Sequence, residues 1–165
     1  MSNMFQTTIY SGNRVKDYEL VNQQLHALLE GEKNKIANLA NTAALLNQFL
    51  DDINWVGFYL WSEEDNELIL GPFQGLPACI RIPFGRGVCG TAAKQLTTQL
   101  VPDVDQFPGH IACDSASRSE IVIPLVVHNK LYGVLDIDSP SLNRFDELDQ
   151  QYLEKICKSL ISHLE

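Results

Sequence analysis

Residues 53–61 have the sequence INWVGFYLW, in which side chains alternate with a period of two. This period is typical of a β-strand, because successive side chains of a strand point to opposite faces of its sheet. Val56 and Phe58 then share one face, and Trp55 and Tyr59 share the other. Two aromatics on one face could be ordinary core. We expect Gly57 to leave a notch between them, which would suit a small ligand.

Periodicity of three and four residues flanks this strand. It predicts helices at about residues 15–29, 33–49 and 146–163. The predicted apolar stripes contain Tyr18, Val21, Leu25, Leu28 and Leu29 in the first helix, Ile36, Leu39, Ala43, Leu46 and Leu50 in the second, and Leu148, Tyr152, Leu153, Ile156, Cys157, Leu160 and Leu164 in the last. Cys157 lies within its stripe, so we interpret it as a small buried hydrophobe with no redox role.

Four further strands are predicted, at residues 67–71, 79–83, 120–127 and 131–138, with a short helix at 88–96. Hairpin connections make the sheet antiparallel. The sequence therefore predicts one α+β domain over residues 1–165, with its core at about 15–163. We expect the terminal helices on one face of the sheet and the segment 71–120 over the other.

Three carboxylates are predicted to share the face that this segment covers. If the second hairpin turns over the three residues 128–130, Glu120 lies opposite Asp138 and on the same face as Asp136. Three such carboxylates would repel each other unless they meet a cation or one is protonated. The alternative interpretation is that these strand ends are simply solvated.

Composition restricts the class of protein. The 165 residues are 45% hydrophobic and 20% charged, as in ordinary globular domains, and the formal net charge is −9. This charge argues against nucleic acid or an anionic membrane as the main partner. No segment approaches the ~18 apolar residues of a membrane span, and the N-terminus lacks a secretory signal pattern. We therefore expect a cytoplasmic protein.

The segment 71–120 holds three of the four cysteines, Cys79, Cys89 and Cys113. Its part from 101 to 119 is long and irregular, which is typical of a functional lid or binding loop. Cysteines of a non-secreted chain are better read as catalytic, metal-binding or buried thiols than as a disulfide framework. A zinc site using these thiols and His110 is disfavoured because no C-x₂₋₄-C pair is present.

Residues 85–90, GRGVCG, match the dinucleotide fingerprint GxGxxG. That fingerprint requires a parallel βαβ unit, whereas the strands here are hairpin-connected. The string favours instead a tight loop whose backbone N–H groups, at the start of a helix, hold a small anion such as a carboxylate.

Six strings carry a resemblance to a known family. They are residues 54–59 (NWVGFY), 71–75 (GPFQG), 78–80 (ACI), 87–90 (GVCG), 107–114 (FPGHIACD) and 119–122 (SEIV). The chain resembles the free methionine-(R)-sulfoxide reductases, which are small enzymes of the GAF fold, from its first helix to its last. The resemblance implies thiol-dependent reduction of free methionine-(R)-sulfoxide without metal or other cofactor. It also implies thioredoxin as reductant and a homodimer.

The resemblance implies that all three cysteines of the segment are functional. We expect Cys113 to attack the sulfoxide and Cys79 to resolve the resulting sulfenic acid as a disulfide, with Cys89 as a third member. Whether Cys113 or Cys89 attacks stays open at this point. A non-catalytic GAF sensor of a small molecule is the alternative function.

The remaining roles follow the groups of the substrate. Glu120 is expected to donate a proton to the sulfoxide oxygen, or to polarise it, and Asp136 and Asp138 to bind the ammonium group. The S-methyl group would pack on the aromatic pair of the first strand. Backbone N–H groups around Gly87, Val88 and Cys89 would bind the carboxylate.

Overall fold

The computed structural model describes residues 8–165. Residues 1–7 lie outside the described part of the chain. Two expectations concern these residues, namely that the N-terminus lacks a secretory signal and that the domain begins at residue 1. Three of the four α-helices are preceded by a residue whose side chain accepts a hydrogen bond from a backbone N–H group of the first turn. These residues are Asn13, Asn34 and Asp146. Such caps satisfy N–H groups that have no partner within the helix.

The order of elements agrees with the predicted α+β domain. The structure contains α1 (Arg14–Leu29), α2 (Lys35–Phe49), β1 (Trp55–Ser62), β2 (Glu67–Gly75), β3 (Arg81–Pro83), α3 (Gly87–Gln95), β4 (Gln99–Val101), β5 (Ser119–Val127), β6 (Lys130–Ser139) and α4 (Glu147–Ile161). Strand β4 and a 3-10 turn at Val104–Gln106 were not predicted. The 3-10 turn and the last residue of β4 lie in the part from 101 to 119 that was expected to be irregular.

The six strands form one antiparallel sheet in the order β3-β2-β1-β6-β5-β4. Helices α1, α2 and α4 cover one face, where Val56 and Phe58 of β1 are fully buried. Cys157 of α4 lies in this core, as predicted. Burial of such side chains supplies the main driving force of folding.

The segment 71–120 covers the opposite face, as expected. Trp55 and Tyr59 of β1 pack there with Val88 and Cys89 of α3. A second, smaller core thus lies between α3 and the sheet, and the candidate site adjoins it.

Two details of the predicted pattern were wrong. The second hairpin turns over two residues, His128 and Asn129, which both have positive φ, rather than over three. A register shift between Leu125 and Val126 restores the predicted pairing at the far end. It also places Tyr132 on the helix-covered face, although strict alternation along β6 would put it on the face of Asp136 and Asp138. Ile36 of α2 is 69% exposed and lies outside the core.

Within residues 8–165, no helix combines the length and the apolar character that crossing a membrane would require.

Candidate active site

Two of the predicted redox cysteines are joined in the structure. Cys79 and Cys113 form a disulfide with their Cα atoms 5.5 Å apart, although 34 positions separate them in sequence. Both residues are half-buried, and Cys113 lines the edge of a small pocket. In this state the two sulfurs are bonded to each other and are not available as thiolate ligands for the zinc alternative.

Strand register brings the three carboxylates together. Glu120 on β5 pairs with Asp138 on β6, as predicted. Asp136 lies two positions before Asp138 on β6 and therefore on the same face. All three side chains line the pocket. Glu120 and Asp136 are each 6% exposed, and the interpretation of solvated strand ends is therefore wrong.

Burial raises the pKa of Glu120 well above its ordinary value of 4.5, and the charges of Asp136 and Asp138 raise it further. Burial likewise raises the pKa of Asp138. Burial also raises the pKa of Asp136, although hydrogen bonds from Glu120 and Cys89 act in the opposite direction. Since three adjacent buried carboxylates cannot all ionise cheaply, the cluster favours a protonated Glu120 next to an ionised Asp136.

An aromatic wall lies beside the carboxylates. Trp55 pairs with Asp138 across β1 and β6, and its indole stacks on Tyr59 with ring centroids 5.8 Å apart. The notch expected at Gly57 is absent, because a Cβ atom there would lie 2.2 Å from the Cβ of Phe73. Phe73 fills the space and also stacks on Trp55, with ring centroids 5.1 Å apart. The wall is therefore rigid rather than notched.

Cys89 differs from the other two site cysteines. It lies in the first turn of α3, is 4% exposed and carries a free thiol. Burial raises its pKa well above 9.0, and the charges of Asp136 and Glu120 add to the effect. The thiol form is therefore strongly favoured, with Asp136 as its hydrogen-bond partner.

The start of α3 faces the same pocket. Gly87 and Val88 line it, and Arg86, the residue that precedes the helix, makes no side-chain cap. The first N–H groups of a helix have no intrahelical acceptor, so they are free to bind an anion. Gly87 adopts φ +62°, a conformation that glycine tolerates without strain, and any Cβ there would crowd Ile111 at 3.1 Å.

Two contacts that hold the cysteine-bearing segments were missed in the sequence. The Tyr59 hydroxyl donates a hydrogen bond to the backbone carbonyl of Cys79 at 2.8 Å. The Asn54 amide donates to the Asp114 carboxylate and to the Ser117 hydroxyl, each at 3.0 Å. Both contacts join segments that are distant in sequence. The only sign of them in the sequence was that Asn54 and Tyr59 lie in residues 54–59, one of the strings that carry the family resemblance.

His110 lines the pocket with its Nε2 atom 3.7 Å from a carboxylate oxygen of Glu120. Burial lowers the pKa of this imidazole, so the neutral form is favoured at neutral pH. A neutral imidazole at that distance forms neither an ion pair nor a hydrogen bond. The structure thus places the predicted site residues around one cavity of about 40 Å³, except Cys79, which is joined to the cavity edge through its disulfide with Cys113. This volume exceeds the ~10–15 Å³ that one water needs.

Comparison with known proteins relates this geometry to a family. Residues 35–164 match the family model for the GAF domain. The free methionine-R-sulfoxide reductase of Escherichia coli is 54% identical over 148 residues, which cover 90% of this chain and 88% of that protein. Two solved structures are also similar. The reduced fRMsr of Staphylococcus aureus is 54% identical, with a TM-score of 0.87 over 97% of this chain and 100% of that one. The free methionine-R-sulfoxide reductase of Neisseria meningitidis, solved in complex with its substrate, is 46% identical, with a TM-score of 0.92 over 96% of this chain and 95% of that one.

Proposed function

Because the chain belongs to the free methionine-(R)-sulfoxide reductases of the GAF-domain family, it is an oxidoreductase acting on sulfur, and we propose that it reduces free methionine-(R)-sulfoxide through Cys113 and Cys79. The observation that carries this proposal is the Cys79–Cys113 disulfide at the edge of a pocket lined by three carboxylates. A disulfide there is the state expected after one reaction cycle.

The chemistry balances with thiols alone. The Cys113 thiolate attacks the sulfoxide sulfur while the oxygen accepts a proton. The S–O bond of the substrate then breaks as the hydroxyl group passes to the Cys113 sulfur, which releases methionine and leaves a sulfenic acid on Cys113. The Cys79 thiolate then attacks the sulfenic sulfur and water leaves as the disulfide forms. The Cα separation of 5.5 Å lies within the range that disulfides require.

Cys113 is favoured over Cys89 as the nucleophile. A thiolate is the reactive form of cysteine, and burial among carboxylates disfavours the thiolate of Cys89. Cys113 is half-buried, lies outside the helices and strands, and already faces its resolving partner. We assign Cys89 the role of a protonated neighbour that donates to Asp136.

The pocket matches the groups of a free amino acid. Glu120, protonated by its surroundings, would donate to the sulfoxide oxygen, while Asp136 and Asp138 would bind the ammonium group. The first N–H groups of α3, at Gly87–Cys89, would bind the carboxylate. Trp55 and Tyr59 would pack on the S-methyl group.

Substrate selectivity is the test of this function. We expect turnover of free methionine-(R)-sulfoxide with dithiothreitol, and loss of turnover when the same sulfoxide is linked in a peptide. A peptide-linked residue lacks the charged ammonium and carboxylate that the pocket would bind. The assay offers both epimers, free and within a tripeptide, and measures methionine formation by chromatography. Equal turnover of free and peptide-linked sulfoxide would contradict the proposal.

Replacement of Cys79 by serine is predicted to uncouple the first turnover from recycling. One equivalent of methionine should form rapidly, and steady-state turnover with thioredoxin should be lost, since no disulfide is left for exchange. Trapping of a sulfenic acid with dimedone, followed by mass spectrometry, should locate the adduct on Cys113. Undiminished turnover with thioredoxin would refute the resolving role of Cys79.

Three aspects of the setting belong to the same proposal. Thioredoxin or another dithiol protein would reduce the half-exposed disulfide by exchange. The cycle suits a reducing compartment such as the cytoplasm. A homodimer is implied by the family, and sedimentation velocity of the purified protein measures it directly.

A further inference from the structure

Three potential metal ligands converge at the bottom of the pocket. The Sγ atom of Cys89 and one carboxylate oxygen each of Glu120 and Asp136 all lie within 4.8 Å of one another, and all three residues are buried. They come from α3, β5 and β6, so the sheet and the packed helix fix their positions. This group includes neither of the disulfide cysteines.

The group also has unmet bonding capacity. One carboxylate oxygen of Asp136 and one of Asp138, both inaccessible to solvent, lack a hydrogen-bond partner among the described residues. Asp136 is only 6% exposed. Buried polar atoms nearly always have partners, so atoms left open at one point of a pocket indicate a place for a positively charged ligand.

We propose that Cys89, Glu120 and Asp136 bind a thiophilic divalent cation such as Zn²⁺, and that the bound cation excludes the ammonium group of the substrate. Binding of the cation depends only on the geometry above. The exclusion rests on the proposed function, which places the ammonium group at Asp136, one of the three ligands, and at the neighbouring Asp138.

The ligand set favours zinc over magnesium. Zn²⁺ accepts thiolate at ~2.3 Å and carboxylate oxygen at ~2.0–2.2 Å, whereas Mg²⁺ requires oxygen ligands in octahedral geometry. Two ligands of a tetrahedral zinc ion stand roughly 3.5 Å apart, so the three atoms, which already lie within 4.8 Å of one another, need to approach by only about an ångström. The Cys89 thiol and the protonated Glu120 each release a proton to solvent on binding, and the divalent charge offsets two of the three negative charges on the thiolate and the two carboxylates. The open oxygen of Asp138 or a water can complete the coordination.

The disulfide form provides a clean measurement, because it leaves only Cys89 and Cys157 as free thiols among the four cysteines. Titration with Cd²⁺ should produce a thiolate-to-cadmium absorption band with one equivalent bound. Cys89→Ser should lose the band, whereas Cys157→Ala, the matched control, should keep it. Glu120→Gln and Asp136→Asn should weaken binding by at least the roughly 10-fold that loss of a supporting ligand partner costs.

A disulfide form that binds no Cd²⁺, or a band that survives in Cys89→Ser, would overturn the site. Zn²⁺ should displace Cd²⁺, and excess Mg²⁺ should not. Should Cys89→Ser fail to fold by circular dichroism, Cys89→Ala and the two carboxyl variants carry the test.

Exclusion of the substrate is measured in the double variant Cys79→Ser/Cys113→Ser, which retains Cys89 and cannot react. Calorimetry of methionine-(R)-sulfoxide binding should show an apparent Kd that rises linearly with free Cd²⁺. An unchanged Kd with cadmium bound would overturn the exclusion. If the sulfoxide does not bind even without cadmium, the proposed function is contradicted, and the exclusion is contradicted with it. The cation site is then still tested separately, by the cadmium absorption band of the disulfide form.

Discussion

Replacement of Cys113 by serine is expected to abolish turnover of free methionine-(R)-sulfoxide, with kcat lowered by roughly 10³-fold or more. A serine hydroxyl stays protonated at neutral pH and is a poor nucleophile toward sulfur, so no sulfenic acid can form. Substrate binding should survive, because the carboxylates, the aromatic wall and the start of α3 are untouched. Turnover is measured with dithiothreitol, and binding is measured by calorimetry.

Cys157→Ala is the matched control for this variant. Cys157 is also a cysteine, but it carries a free thiol and lies in the core on the helix-covered face of the sheet. Its variant should keep kcat and lose only stability. Unchanged turnover in Cys113→Ser would refute the nucleophile assignment, and it would transfer the role to Cys89. If neither the wild type nor any variant turned over the sulfoxide although it bound, a non-catalytic sensor would be the better interpretation.

Much of the site could be predicted because the spacing of residues along a strand determines which face of the sheet each side chain occupies. Alternation along β1 placed Trp55 and Tyr59 on one face, and the hairpin register placed Glu120 opposite Asp138. Each inference needed only the two-residue period of a strand and one pairing. The pairing held although the turn was misjudged, because a register shift inside the hairpin compensated for the shorter turn.

The errors concern contacts between distant segments. Gly57 was expected to leave a notch, but the sequence gives no sign that Phe73 of the neighbouring strand fills it. Neither the bond from Tyr59 to the Cys79 carbonyl nor the tether from Asn54 to the loop of Cys113 follows from any local pattern. The roles of the cysteines came from family resemblance, and the pKa of the buried Cys89 thiol became apparent only from its surroundings.

These two contacts bear on the movement of the site. Asn54 binds the loop at Asp114 and Ser117, on the C-terminal side of Cys113, while the disulfide ties the same loop to Cys79. Reduction would remove the covalent tie and leave only hydrogen bonds, each worth about 1 kcal/mol. We therefore expect the loop to open in the dithiol state and to close on Cys79 after the sulfenic acid forms.

Glu120→Gln is the second substitution with a large expected effect on activity. Glutamine preserves the shape of the side chain but cannot supply a proton from a carboxyl group, so kcat should fall by about 10²–10⁴-fold. In the wild type, kcat/KM should decline as pH rises through the raised pKa of Glu120, because the acid is then lost. The residual kcat/KM of the variant should not show this decline with rising pH. Glu147→Gln, an exposed position at the start of α4, is the control and should retain the wild-type profile.

The same substitution should act on stability in the opposite sense. The pKa of Glu120 is higher in the folded chain than its ordinary value of 4.5, so the folded state binds more protons than the unfolded state. Its contribution is therefore fully present below about pH 4.5 and is lost as pH rises toward the folded pKa. Glutamine removes this titration, so the variant should gain thermal stability relative to the wild type as pH rises from 4.5 toward neutrality. Asp136 and Asp138 remain in both proteins and interact with Glu120, so the difference between the two melting curves reports Glu120 together with its coupling to these two carboxylates. A gain in Tm together with a loss of kcat would show that Glu120 is held in an environment that lowers stability but serves catalysis. A variant that is less stable at every pH would show instead that the Glu120 carboxyl group stabilises the fold.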